Sequence, residues 1–200
     1  MRKKILWVLF AVLSVVFGLY PVKYFLITRK PEVIGAKPDF LMVHVLWDYV
    51  FYTHIILGGI ALLIGWIQFH SKHRNQHLML HRKIGKVYVV SVLLSAVSSL
   101  YIAMFVVGGF WSAFGFICLG IIWFYTTLRA YLSIRNRNLE QHRRMMIYSY
   151  ALCFAAVTLR LWLPLLIVVI GDYTTAYMIV AWWAWIPNLI VAFFLARRVN

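Results

Sequence analysis

Residues 145–170 read MMIYSYALCFAAVTLRLWLPLLIVVI, and this run, with a single charge in it, decides the fold. At about 1.5 Å rise per residue, a helix of this length more than crosses a hydrocarbon core of about 30 Å. His142-Arg143-Arg144 stands before the run and Gly171-Asp172 after it, so polar residues bound it on both sides. The charge inside it is Arg160. A cation within the bilayer is costly unless something pairs with it, so Arg160 points to a working site.

Five more apolar runs share this character, at 5–27, 46–69, 87–107, 111–133 and 175–195. Hydrophobic residues form 64% of the chain and charged ones 12%, outside the range of a soluble domain. The expectation is an all-α, polytopic membrane bundle of six helices in one domain spanning residues 1–200. The first run follows Arg2-Lys3-Lys4, as a secretory signal does. It is longer than a signal core, and Tyr20-Pro21-Val22-Lys23 offers no small-residue cleavage pattern, so it reads as a retained helix.

The basic residues orient the bundle. Arg2, Lys3, Lys4, Lys72, Arg74, Arg82, Lys83, Lys86, Arg129, Arg135, Arg137, Arg143, Arg144, Arg197 and Arg198 fall on the side of the termini. Lys23, Arg29, Lys30 and Lys37 fall on the other, a ratio of 15 to 4. The positive-inside rule then places both termini in the cytoplasm and the protein in the inner membrane. Topology and contact with anionic headgroups account for the net charge of +15, so no nucleic-acid partner is implied. Cys118 and Cys153 lie inside apolar runs and suggest neither a disulfide nor a zinc site. Only 28–45, with Pro31, Gly35 and Pro38, has linker character.

Two basic loops end alike: His81-Arg82-Lys83 opens the third helix and His142-Arg143-Arg144 the fifth. This weak echo suggests two related hairpins, helices 2–3 and 4–5, forming a four-helix core with helices 1 and 6 as flanks. Helices 3 and 5 would then sit diagonally, with His81 and His142 at equal depth.

Helical spacing picks out polar stripes. On helix 2 the stripe is His44, Trp47, Phe51, His54, Gly58, Ala61, Gly65 and Gln68; on helix 3 it is His81, Gly85, Tyr88, Ser95 and Ser99. On helix 5 it is His142, Met146, Ser149, Cys153, Ala156 and Arg160. Such stripes belong at helix contacts or along a cavity. Close packing explains the small residues but not His54 or Arg160, both roughly 10–15 Å deep from the outer side. Asp48 and Asp172 are the nearest carboxylate candidates for Arg160, as an ion pair or beside a bound ligand. Trp182, Trp183 and Trp185 precede Pro187 and Asn188, and read as an interfacial belt or an aromatic wall.

His81 and His142 admit three readings: helix caps, an anion or headgroup site with Arg82 and Arg143, or axial ligands of one b-type haem. His54 has no histidine on helix 4 to pair with, so a second haem is not expected. Hydrolase motifs are absent, and His70, His73 and His77 read as a solvated loop.

His77 to Tyr88, His142 to Leu152, Ala155 to Arg160 and Leu163-Pro164 together resemble a family of bacterial membrane proteins catalogued as a domain of unknown function. The resemblance covers about 45–195 and implies that His54, Gln68, His81, Arg82, Gly85, Tyr88, His142, Arg143, Met145, Arg160 and Asn188 are the positions to test. The layout is also similar to that of b-type cytochrome and ferric-reductase-like proteins, a fold-level analogy.

The leading expectation is electron transfer through one haem b, a quinone, or both. His81 and His142 would hold the iron or contact the quinone, with Tyr88, Arg82 and Arg143 beside them. The alternative is a transporter or binding protein for a small anion or anionic lipid, built on Arg160 and His54, with Asp48, Gln68 and Asn188 near. A third reading is an assembly factor or subunit of a membrane complex.

Overall fold

The computed structural model describes residues 2–26, 41–69 and 76–199. His70, His73, the side chain of His44 and most of the linker-like segment lie outside them. The helices are α1 (Arg2–Gly18), α2 (Leu41–Gly65), α3 (Leu78–Ile102), α4 (Gly109–Arg135), α5 (Leu139–Cys153), α6 (Ala155–Ile170), α7 (Tyr173–Trp183) and α8 (Ile186–Ala196). A short turn at Tyr20–Val22 and a helical piece at Lys23–Leu26 extend α1. They build 6 spans long and apolar enough to cross a membrane: Lys4–Leu26, Val45–Phe69, Leu78–Phe105, Gly109–Arg135, Leu139–Ile170 and Tyr173–Ala196. An even number of crossings brings both termini to one face, here the terminus face; the turn around Gly108 and the turn at Gly171 lie on the opposite face.

Spans three and five begin earlier than the apolar runs at 87 and 145 suggest. Hydropathy marks the greasy part of a helix, whereas backbone hydrogen bonding continues through the basic turns that rise out of the membrane. Asn138 starts α5 by accepting the Gln141 N–H at 2.9 Å, and Glu140 sits in the first turn, where the helix dipole favours an acid. The cap positions of α3 and α5 are therefore His77 and Asn138, which corrects the reading of His81 and His142 as caps. Each lies a full turn inside its helix.

The core is a ring of four spans. α2 packs on α3 and α5, α4 packs on α3 and α5, and so spans three and five are diagonal. α1 lies on α2 and α6, α7 on α6 and α4, and α8 on α5. Leu62, Tyr88, Val92, Trp123, Leu152 and Val157 fill the centre.

Hydroxyls bind the ring where no water competes. Tyr88 Oη meets Ser149 Oγ at 2.9 Å across the diagonal, Ser149 Oγ meets Thr127 Oγ1 at 2.6 Å, and Thr127 donates to the Trp123 carbonyl at 2.8 Å. Tyr150 donates to the Leu62 carbonyl at 2.9 Å and lies 3.0 Å from Ser14 Oγ, tying α1 and α2 to α5. Gly65 lets the Tyr150 and Tyr88 rings pass: a methyl group there would collide with Tyr150 and stand 2.8 Å from Tyr88. Small residues at these crossings permit the close packing that holds membrane helices together.

Spans five and six are each interrupted near mid-length, a feature that the apolar runs do not announce. α5 gives way to α6 at Phe154, and α7 gives way to α8 at Ala184 and Trp185, ahead of Pro187. Proline lacks the N–H that the helix would use there. Trp182, Trp183 and Trp185 lie at this interruption, about ten residues in from Tyr173, which corrects their reading as an interfacial belt. Trp185 is buried and donates to the Ala181 carbonyl at 2.9 Å, while Trp182 packs on Trp111 at 5.3 Å between ring centroids.

Candidate ligand site

A cavity of about 470 Å³ opens among all six spans, in the half of the bundle away from the termini. Its volume is that of a site for a small molecule. Five spans bring functional side chains to it. His54 comes from α2 and Ser99 from α3; Arg160 comes from α6; Tyr20 and Tyr24 come from the end of span one, and Tyr177 from α7. Phe17, Phe51, Phe116, Leu119 and Trp123 supply much of the apolar wall.

Arg160 reaches the cavity from the helix that follows the interruption at Phe154. Its Nη1 donates to the Ala156 carbonyl at 2.7 Å, one turn back on its own helix. The guanidinium carbon lies 4.5 Å from the centroid of the Tyr20 ring, a cation–π contact. Tyr24 and Tyr177 are close enough to feel its charge. Among the described residues no carboxylate faces it. Asp48 is not among its neighbours. Asp172 is engaged elsewhere, as the cap of α7, where its Oδ2 accepts the Thr175 N–H at 2.7 Å. The same contacts with Thr175, side chain and then backbone, hold the Asp172 carboxyl below the usual range. Pro164, also on the wall, leaves the Arg160 carbonyl without its helical partner, because the residue four positions on has no N–H to give.

His54 faces Arg160 across the cavity and lies within reach of its field. Its Nδ1 lies 3.0 Å from the Ser95 carbonyl and 3.0 Å from Ser95 Oγ. Ser95 Oγ in turn donates to the His54 carbonyl at 3.0 Å. A carbonyl only accepts, so Nδ1 carries the proton and Nε2 presents its lone pair.

The interruption of span five borders this site. Leu152, Cys153, Ala155 and Ala156, on either side of Phe154, line the cavity floor. Asn188 stitches the two broken spans together: its Nδ2 lies 3.2 Å from the Ala151 carbonyl, 3.1 Å from Thr158 Oγ1 and 3.1 Å from the Ala184 carbonyl. Thr158 Oγ1 also donates to Ala184. These contacts satisfy carbonyls that the breaks release, as backbone at membrane depth requires.

The other sequence candidates lie at the terminus face or in the core. His142 donates from Nδ1 to the Ala130 carbonyl at 2.9 Å, on α4. His81 is half-buried in the first turns of α3, and Arg82 and Arg143 are exposed. Neither histidine lines the cavity. Tyr88 belongs to the hydroxyl chain of the core, Gly85 and Met145 are partly buried near the same face, and Gln68 is buried with no hydrogen-bond partner for Oε1 among the described residues. No cluster of three His, Cys, Asp or Glu side chains gathers among the described residues. The residues that sequence reasoning missed are Tyr20, Tyr24, Tyr177 and Thr158, while Ser95, read as part of the stripe on the third span, is the residue that holds His54. The tyrosines have a faint signal, since Tyr20 with Tyr24 and Tyr173 with Tyr177 are pairs at helical spacing at the ends of their runs.

A family model described as a predicted membrane protein, DUF2306, matches residues 51–196. The match takes in His54, Ser95, Arg160 and Asn188, and leaves Tyr20 and Tyr24 of span one outside it. No curated protein and no solved structure matches the chain. With most of its length covered, the chain belongs to the DUF2306 family of membrane proteins, whose function is unknown.

Proposed function

We propose that this protein binds a small amphipathic anion within the membrane and serves as a binding or transport protein for it. One observation carries the reading: Arg160 opens into an aromatic-walled cavity with tyrosines and a backbone carbonyl as its described neighbours. An arginine at helix centre costs about 2.5–3.5 kcal/mol on insertion scales. An acidic ligand offsets that cost, and the guanidinium fork is suited to a carboxylate or phosphate. The interrupted helix beside the cavity supports the same reading, since substrate sites in transporters are commonly built at broken spans.

The test is thermal unfolding of the full chain in mild detergent, with 4-butylbenzoate and its neutral counterpart 4-butylbenzyl alcohol. A ligand at a hundred times its Kd adds about 2.7 kcal/mol, a shift of a few degrees in Tm. The acid stabilises the wild type and the alcohol does not; Arg160→Gln loses the effect and Arg160→Lys keeps part of it. Equal behaviour of acid and alcohol, or an undiminished effect in Arg160→Gln, refutes the reading.

A second reading rests on His142. Its Nδ1–H bond to the Ala130 carbonyl leaves Nε2 as the lone-pair nitrogen, the arrangement that orients a metal-binding imidazole. His81 occupies the matching turn of the diagonal span. These two side chains would hold a b-type haem, or contact a quinone, at the terminus face; haem supplies one-electron chemistry when bound. An absorption spectrum of the purified protein, oxidised and then dithionite-reduced, decides it. A Soret band lost in His81→Ala and His142→Ala supports the redox reading, and a featureless spectrum from haem-replete cells removes the haem.

The basic bias of 15 to 4 supports cytoplasmic termini in an inner membrane, with anionic headgroups against the basic loops. Reporter fusions at Asn200 and within 106–108 test this: the first is active only as a cytoplasmic reporter and the second only as an external one.

A further inference from the structure

We infer that the cavity selects ligands carrying a hydrogen-bond donor opposite the group that Arg160 holds, with His54 as the specificity-determining acceptor. This rests on the reading of the cavity as a ligand site, and it adds the class of ligand: an aromatic acid bearing a hydroxyl group.

The two walls differ in hydrogen-bonding sense. On the wall made by spans two and three, the polar groups have spent their protons on the protein. His54 uses its Nδ1 proton on the Ser95 carbonyl at 3.0 Å, so the neutral ring offers only the Nε2 lone pair. Nε2 has no hydrogen-bond partner among the described residues, and it is not sealed from the cavity. Ser99 gives its hydroxyl proton to the Ala96 carbonyl at 2.6 Å and likewise presents lone pairs. On the wall made by spans one, five and six stand the guanidinium N–H groups of Arg160, with Tyr20, Tyr24 and Tyr177 around them.

A ligand that satisfies both walls needs an anionic or accepting group at one end and an O–H or N–H at the other. Without the donor, His54 Nε2 and Ser99 Oγ would be dried against apolar surface with no partner. A site built to bond a substrate hydroxyl rejects analogues that lack it far more strongly than an apolar pocket rejects a change of size. The ring follows from the composition of the wall, which Phe17, Phe51, Phe116 and Trp123 line and against which an aromatic ligand packs favourably.

The experiment compares 4-hydroxybenzoate with 4-methoxybenzoate, equal in charge and ring but with the donor replaced by an ether. Binding is read by calorimetry and by the shift in Tm, on the full chain in mild detergent. The wild type prefers the hydroxy acid by about ten-fold or more. His54→Leu binds the two acids equally, and Arg160→Gln binds neither. Ser95→Ala serves as the control: it removes the hydroxyl beside Nδ1 but keeps the backbone carbonyl that takes the Nδ1 proton, so Nε2 remains the acceptor and the preference is retained in it. Equal binding of both acids by the wild type overturns the role of His54 and leaves the anion site standing. Failure of both acids to bind overturns the proposed ligand class, and 4-butylbenzoate then tells whether the anion site itself survives. A preference that persists unchanged in His54→Leu also overturns the assignment.

Discussion

Asn188 and Thr158 are joined by a hydrogen bond of 3.1 Å that runs between the two interrupted spans of the bundle. Together they receive or satisfy what the breaks release, the Ala151 carbonyl on one side and the Ala184 carbonyl on the other. Asn188→Leu should therefore destabilise the protein by about 1–3 kcal/mol, the cost of leaving buried carbonyls unpaired. Thr158→Val should cost less by itself, and the pair should fall short of additive, since both act on Ala184. Denaturation in mixed micelles gives the three values, and strict additivity would dissolve the stitch.

At Gly65 the helix surface is cut away for two tyrosine rings. Gly65→Ala puts a methyl group into the Tyr150 ring and 2.8 Å from Tyr88, so one ring must move and the hydroxyl bonds to Leu62 and Ser149 weaken with it. The expected loss is about 1–3 kcal/mol, as for other overpacked cores. Gly85→Ala is the control, because nothing stands within 4 Å of its position. Comparable losses at the two glycines would contradict the packing described.

Tyr20 stacks its ring on the Arg160 guanidinium at 4.5 Å from the centroid. Tyr20→Leu should cost about 0.5–2 kcal/mol, and Tyr20→Phe less, since it keeps the ring face and loses only the hydroxyl, which also bonds Arg160 and accepts from Lys23. In Arg160→Gln the difference between the two Tyr20 variants should shrink. Thermal unfolding of the four combinations measures this, and a difference that survives without Arg160 assigns the effect to packing alone.

Asp172 caps α7 from outside the membrane spans, and its contacts with Thr175 hold its carboxyl below the usual range. A carboxyl with a depressed folded pKa binds fewer protons folded than unfolded. It thus adds stability above the ordinary carboxylate pKa of about 3.9, and that stability fades as pH falls through the folded value. The wild type should exceed Asp172→Ala in Tm at pH 6 and converge toward it below about pH 4. A gap that is constant with pH would mean that the cap does not act through its charge.

The six spans, the shared face of the termini and the anomaly of Arg160 were legible from the order of residues alone. These are local properties: an apolar run of sufficient length must be helical in lipid, and a lone cation inside it is visible without any neighbour. The polar stripes were legible too, because helical spacing places His54, Gly58 and Gly65 on one face whatever that face meets. What each stripe meets was settled by the packing of the spans. Ser95 lies 41 positions from the His54 it orients, and Ser14 lies 136 from the Tyr150 it touches, distances over which no periodicity carries information. That Tyr20, Tyr24 and Tyr177, rather than Asp48, surround Arg160 follows from how spans one, five and six stand against one another. The break at Phe154 was hidden because an interrupted span keeps its apolar composition, while the interruption is made tolerable by Asn188 from a different helix. Lipid selects for apolar length, which a chain writes in one dimension; a site is made where helices cross, and that is settled by packing.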